Sequence, residues 1–169
     1  MDVIEAIMTR RSIREYTEEP VTDEQVNTLL EAAMAAPSAN NKQPWHYLVI
    51  KDSATLRKIK TVHPYAAMAE NAPLAILVCG DLNIDHVKGY LTVDCAAATQ
   101  NILLAAHSMG LGTVWCGVYP RQQRIDAFRK MFDLPQYILP VSFIVVGHPA
   151  EKKDAATRFM SDRVKFEKW

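Results

Sequence analysis

Arg10-Arg11-Ser12-Ile13-Arg14 and, further along, Pro37-Ser38-Ala39-Asn40-Asn41-Lys42-Gln43-Pro44-Trp45 are the stretches on which the reading of this sequence turns. The first places three guanidinium groups and one hydroxyl within five residues. A guanidinium offers parallel N–H donors that match the oxygens of a phosphate, and a serine hydroxyl adds another. Cations at the end of a helix also answer its dipole, so this stretch alone leaves both readings open. The second stretch mixes Ser, Asn and Gln, which donate and accept together and suit the polar edge of a flat heterocycle. Its two prolines limit its freedom and lower the entropy lost on binding. Without its neighbours it is equally a helix-stop loop rich in turn formers.

Working outward, Val3, Ile4, Ile7 and Met8 recur at helical spacing and predict a short amphipathic helix over 2–10 that delivers the arginines. Thr22 with Gln25 predicts a capping box, followed by a buried stripe of Val26, Leu29, Leu30, Ala33 and Met34 that stops at Pro37. Tyr47–Ile50 reads as a strand, Ser53 as the cap of a helix over 54–61, and 65–71 as weakly helical. Leu74–Cys79 is continuously apolar and reads as a buried strand. Leu91 to Met109 carries the stripe of a long helix ended by Gly110 at the C′ position. Thr113–Cys116 and Val141–Val146 read as strands around a helix marked by Ile125, Phe128 and Phe132. Helices alternating with few strands give α+β or mixed α/β. The tail, 148–169, carries Phe159, Phe166 and Trp169 without a period. Such aromatics are depleted in disordered segments, so the tail is expected to lie along another surface.

The 169 residues predict one domain, 1–169, large enough for its own core. A formal net charge of +0 argues against a bulk electrostatic grip on nucleic acid or an anionic membrane. Three scattered cysteines exclude a disulfide framework and a four-cysteine zinc site, and they fit a reducing compartment. The acidic start lacks the pattern of a signal peptide, and the apolar runs fall short of the ~20 residues that span a bilayer. A cytoplasmic protein is expected. Gly110-Leu111-Gly112 follows a helix and precedes a strand, the wrong order for a dinucleotide loop. Asp81 to Asp85 opens like a calcium loop, but His86 and Thr92 stand where that loop needs glycine and glutamate. The histidines form no HExxH pair, and no GxSxG elbow exists. Val114-Trp115-Cys116-Gly117-Val118 is a strand end whose glycine permits close approach of a planar ligand, though an ordinary buried strand end reads the same way.

Taken together, the Arg-Arg-Ser stretch, the Pro37–Trp45 loop, Asp94–Asn101, Gly110-Leu111-Gly112, Trp115-Cys116-Gly117 and the tail from Arg158-Phe159 resemble the FMN-dependent nitroreductase family, in a short, minimal form. The resemblance implies an α+β fold with a central mixed β-sheet flanked by helices. It also implies a homodimer with FMN at the subunit interface and a C-terminal segment that wraps the partner. By matched position it implies that Arg10, Ser12 and Arg158 hold the FMN phosphate, with Arg11 close by, and that Arg14 faces the pyrimidine edge. Pro37, Ser38, Ala39 and Asn41 are implied as contacts from the partner subunit, and Asn71 as the polar contact from 65–71. Gly117, with Cys116, is implied beside the ring atom N5. Cys116 stands where longer members often carry an acidic residue. It reads as structural, since no histidine or lysine near it in sequence would activate it.

The implied activity is hydride transfer from NADH or NADPH through the flavin to a nitroaromatic, quinone or similar small acceptor, with no dedicated protein acid or base. The alternatives are the same scaffold in dehalogenation, flavin cleavage or dehydrogenation, a non-catalytic flavin-binding or redox-sensing module, and a protein-interaction domain with solvated arginines.

Overall fold

The capping box forms as expected. Thr22 accepts from the Gln25 N–H at 3.1 Å, and the Gln25 side chain accepts from the Thr22 N–H at 2.9 Å. It opens α2 (Asp23–Met34), which buries Val26, Leu29 and Ala33. Met34 is half exposed, so the stripe ends at Ala33, one residue earlier than its pattern predicts. The computed structural model describes residues 1–169. In it α1 (Val3–Thr9) is capped by Asp2 and buries only Ala6. Its bulky stripe, Val3, Ile4, Ile7 and Met8, faces outward, against the expectation that an apolar stripe marks a covered face.

The sheet comprises β1 (Trp45–Ile50), β2 (Leu74–Asp81), β3 (Gly112–Gly117) and β4 (Ile138–Gly147), in the order β1-β2-β4-β3. The resemblance implies a mixed sheet, but all three ladders are antiparallel. The one parallel pairing is a bridge from Ser12 to Thr113 on the edge strand. Pro140 cannot donate to a ladder, and the register slips there, opposite Val78 and Cys79. Three further helices complete the frame: α3 (Ser53–Val62), α4 (Lys88–Ser108) and α5 (Gln122–Met131). The cap of α3 is Asp52 rather than Ser53, its carboxylate accepting from the Thr55 N–H at 2.8 Å. Pro64–Asn71 winds as a 3-10 segment.

α4 lies across the sheet and ends where Gly110 takes a φ of +78°, a conformation that glycine adopts at no steric cost. It is joined to β4 by a buried pair in which the Thr99 hydroxyl donates to the Cys95 carbonyl and lies 2.6 Å from the Ser142 hydroxyl. Helix and strand approach closely at Gly80, where a Cβ would collide with Leu91. One continuous cluster of 36 buried apolar residues runs from Val21 to Val146, so every strand and α2 to α5 share a single core. No helix is long and apolar enough to cross a membrane, and no group of three or more His, Cys, Asp or Glu side chains is placed to hold a metal ion.

Residues after Gly147 run over the surface without regular structure, save a 3-10 turn at Ser161–Arg163. Phe159, Phe166 and Trp169 are 80%, 83% and 103% exposed. Within one chain, the tail's aromatics have no apolar surface to cover them.

Candidate functional site

The segment Arg10–Arg14 leaves α1 and is stitched to the edge strand β3. Ile13 donates its N–H to the Thr113 carbonyl at 2.9 Å, and the Tyr16 hydroxyl donates to the Ile13 carbonyl at 2.6 Å. Gly112 makes this approach possible, since a Cβ there would sit 2.8 Å from Ile13. The arginines therefore stand on a fixed backbone rather than a loose loop.

Arg10 and Arg11 line a crevice of about 460 Å3 together with Thr9, His107 and Lys153. Arg158, from the far end of the chain, does not line this crevice but stands near enough for its charge to act on Arg10. Burial, then Arg158, then Arg11, lower the Arg10 pKa below its ordinary value. The ion pairs of the chain are made by lysine and histidine, and none by arginine. Arg11 Nη1 donates to the Asp154 carbonyl. Glu5, Glu151 and Asp154 also border the crevice, but none pairs with Arg10 or Arg158. Like charges gathered without carboxylate partners are poised for an anion with several acceptor oxygens.

Two tail residues cross this segment. Lys153 Nζ donates to the Ser12 carbonyl at 3.0 Å and to Glu151 at 2.8 Å, and Glu151 accepts the Arg14 N–H at 2.6 Å. These contacts hold the Glu151 carboxyl below the usual carboxylate range, Lys153 contributing first and Arg14 next. Arg14 and Asn71 meet in a second crevice of about 600 Å3, bordered by Tyr16 and Glu70. Arg10 and Arg11 thus line one crevice and Arg14 and Asn71 another, while Ser12 and Arg158 line neither.

Pro37, Ser38, Ala39 and Asn41 line neither crevice. Their loop is fixed elsewhere, at α4. The Ala39 N–H donates to both Asp94 oxygens at 3.1 Å, Lys42 pairs with the buried Asp85 at 3.2 Å, and the Ser38 hydroxyl accepts from the Gln43 N–H at 2.9 Å. Asn40, Asn41 and Gln43 all have positive φ, near +50°, a strained run that these contacts hold in place.

Cys116 and Gly117 end β3. Burial pushes the Cys116 thiol up to about 11, as befits a structural cysteine. The space over Gly117 is open, since a Cβ there would meet only the Tyr119 carbonyl, at 3.8 Å. Nothing in the sequence marks His63 and Arg124 as both reaching the Gly117 carbonyl, at 3.0 and 2.8 Å. His63 is 54 residues away and reads as a loop residue before Pro64. His107, whose Nε2 lies 2.8 Å from Thr9 Oγ1, is likewise invisible as a neighbour of Arg10.

The pattern of the Nitroreductase family matches residues 7–63 and 59–148. The chain belongs to the nitroreductase family. A relative from Methanothermobacter thermautotrophicus, named "Putative NADH dehydrogenase/NAD(P)H nitroreductase", is 48% identical over 169 residues, covering 100% of this chain and 88% of its own length. A crystal structure under the same name from Parabacteroides distasonis superposes with a TM-score of 0.95 at 38% identity, covering 99% of this chain and 98% of the other. A protein from Desulfovibrio desulfuricans solved in complex with FMN superposes at 0.87 with 33% identity, covering 100% and 98%. The expected nitroreductase fold is therefore found, and at nearly the same length as these relatives.

Proposed function

We propose that this nitroreductase-family chain is an NAD(P)H-dependent FMN oxidoreductase, acting as a cytoplasmic homodimer of one domain, residues 1–169, with a flavin at each subunit interface. The observation that carries this reading is the cluster of Arg10, Arg11 and Arg158, joined from opposite ends of the chain and free of carboxylate partners. Its donor set fits a phosphate monoester, and the open space over Gly117 fits a planar ring.

Arg10, Arg11, Ser12 and Arg158 hold the phosphate. Arg14 and Asn71 take the polar pyrimidine edge, where a fixed cation favours the reduced, anionic ring. Cys116 and Gly117 back the ring with main chain, and Gly117 lets it approach. Pro37, Ser38, Ala39 and Asn41 come from the partner subunit, which accounts for their lining neither crevice of their own chain. The outward stripe of α1 and the uncovered aromatics of the tail supply apolar surface for the two copies to bury. The buried, unpaired thiols of Cys79, Cys95 and Cys116 suit a reducing cytoplasm. FMN, when bound, accepts a hydride from NADH or NADPH and passes the electrons to a nitroaromatic, quinone or similar small acceptor. The protein's task is to place ring and nucleotide and to set the charge around them.

Steady-state oxidation of NADH and NADPH, with menadione or nitrofurazone as acceptor, tests this function. Acceptor-dependent turnover supports it. A protein that holds FMN but is reduced by neither nucleotide overturns it in favour of another reaction on the same scaffold.

A further inference from the structure

The Gly117 carbonyl is held by two donors from different parts of the fold. Nη1 of Arg124, in the first turns of α5, donates to it at 2.8 Å. Nε2 of His63, at the end of α3, lies 3.0 Å from the same oxygen. A carbonyl oxygen only accepts, so His63 Nε2 carries a proton, and the burial that lowers the pKa of the ring favours an Nδ1 without one. Both donors pack against aromatic rings. His63 is 1% exposed and stands edge-on to Tyr65 and Phe128, with ring centroids 6.4 and 6.3 Å away. The Arg124 guanidinium lies 5.5 Å over the Tyr65 ring. Cys116 adds a third tie, its thiol donating to the Tyr65 carbonyl at 3.7 Å.

His63 is an expensive way to fill that space. Its Nδ1 is buried without a partner, and an unsatisfied buried polar atom is destabilising where a leucine would not be. What the imidazole supplies there is the Nε2–H donated to the Gly117 carbonyl. Immediately after Gly117 the chain leaves the sheet, with the N–H groups of Val118 and Tyr119 both directed to the Val141 carbonyl. The Val118 N–H to Val141 contact fixes the N–H side of the peptide after Gly117, and Arg124 and His63 fix its carbonyl side.

We infer that Arg124 and His63 are positioning residues that lock the Gly117 carbonyl and so set the backbone against which the flavin ring rests during hydride transfer. The inference rests on the flavin reading of Gly117 given above. Misplacement by about 1 Å at a reacting centre costs up to roughly a hundredfold in rate. Arg124 adds a second effect, because it brings a permanent positive charge to that backbone and favours the reduced ring. His63 is neutral, its pKa lowered chiefly by burial, and acts through geometry alone.

The test uses the purified holoprotein and four variants: Arg124→Leu, Arg124→Lys, His63→Leu and His63→Gln. Three quantities are read: the rate at which NADH bleaches the flavin in a single turnover, the flavin midpoint potential, and the Kd for FMN. Both leucine variants are expected to slow bleaching by about 10- to 100-fold, with far smaller changes in the FMN Kd. Arg124→Leu also lowers the midpoint potential, whereas Arg124→Lys keeps the charge, holds the potential near that of the wild type and still slows bleaching. His63→Gln, whose amide N–H replaces Nε2–H, recovers much of what His63→Leu loses. If the leucine variants do not fold, the lysine and glutamine variants carry the test. Bleaching as fast as the wild type in Arg124→Lys, or equal losses in His63→Leu and His63→Gln, overturns the inference. A wild type that takes up FMN but is bleached by neither nucleotide overturns the hydride-transfer reading, and one that takes up no FMN overturns the flavin reading itself.

Discussion

Replacing Arg10 and Arg158 with alanine, singly and together, separates a ligand site from a patch of solvated charge. Each charge-assisted hydrogen bond is worth about 1.5–3 kcal/mol, and about 1.4 kcal/mol is a factor of ten in affinity. Either single substitution is therefore expected to weaken FMN binding about 10- to 100-fold. The double variant falls short of the product of the two. Arg10 is partly buried, and its charge is opposed by Arg158 and Arg11, so removing one guanidinium relieves the repulsion felt by the other. The same crowding gives the apoprotein a distinct signature. Arg10 has no carboxylate to lose, so its truncation leaves the apoprotein Tm unchanged or raises it, while the gain in Tm on adding FMN shrinks with the lost affinity. Flavin fluorescence titration gives Kd, and melts with and without FMN give the two Tm values. An unchanged Kd in the double variant refutes the phosphate assignment. An apoprotein Tm that falls as far as the Tm with FMN shows that the arginines serve stability instead.

Gly112→Ala forces a Cβ against Ile13 and displaces the backbone that carries Ser12; it should cost about 1–3 kcal/mol of stability and weaken FMN binding, as melts and a flavin titration would register. Burial holds the His63 pKa below its ordinary value near 6.5, so the unfolded chain takes up the proton first and stability is lost as pH falls below about 6.5. His63→Gln should flatten the decline in Tm between about pH 6.5 and 5, leaving the share due to His107, which is shifted the same way; an undiminished decline counts against a neutral, buried His63. Deleting residues 155–169 removes Arg158 and the exposed aromatics, so dimers should dissociate at higher protein concentration and release FMN on gel filtration; a truncated chain that remains dimeric and yellow contradicts the role given to the tail.

What the sequence made legible is local. The Thr22–Gln25 capping box, the stop at Pro37 and the Gly110 terminus are written within a few residues, and each forms. Where a neighbour competes for the same local role, the pattern is ambiguous: Asp52, not Ser53, caps α3 because its carboxylate reaches the Thr55 N–H. The apolar stripe of α1 marks a face that its own chain leaves open, since periodicity tells which residues share a face and not what covers it. Of the site, the clustered arginines and the polar loop could be found because they are dense in sequence. His63, Arg124 and Lys153 could not. Each is a single polar residue whose partner is fixed by strand order and by the path of the chain, with 54 residues between His63 and Gly117 and 141 between Lys153 and Ser12.

A visible absorption scan of the purified protein, before and after NADH or NADPH, puts the central claim most directly to the test. Flavin bands that bleach when nucleotide is added, and return when an acceptor follows, are the predicted result. A colourless protein that takes up no added FMN would contradict it and return the arginine cluster to the category of surface charge.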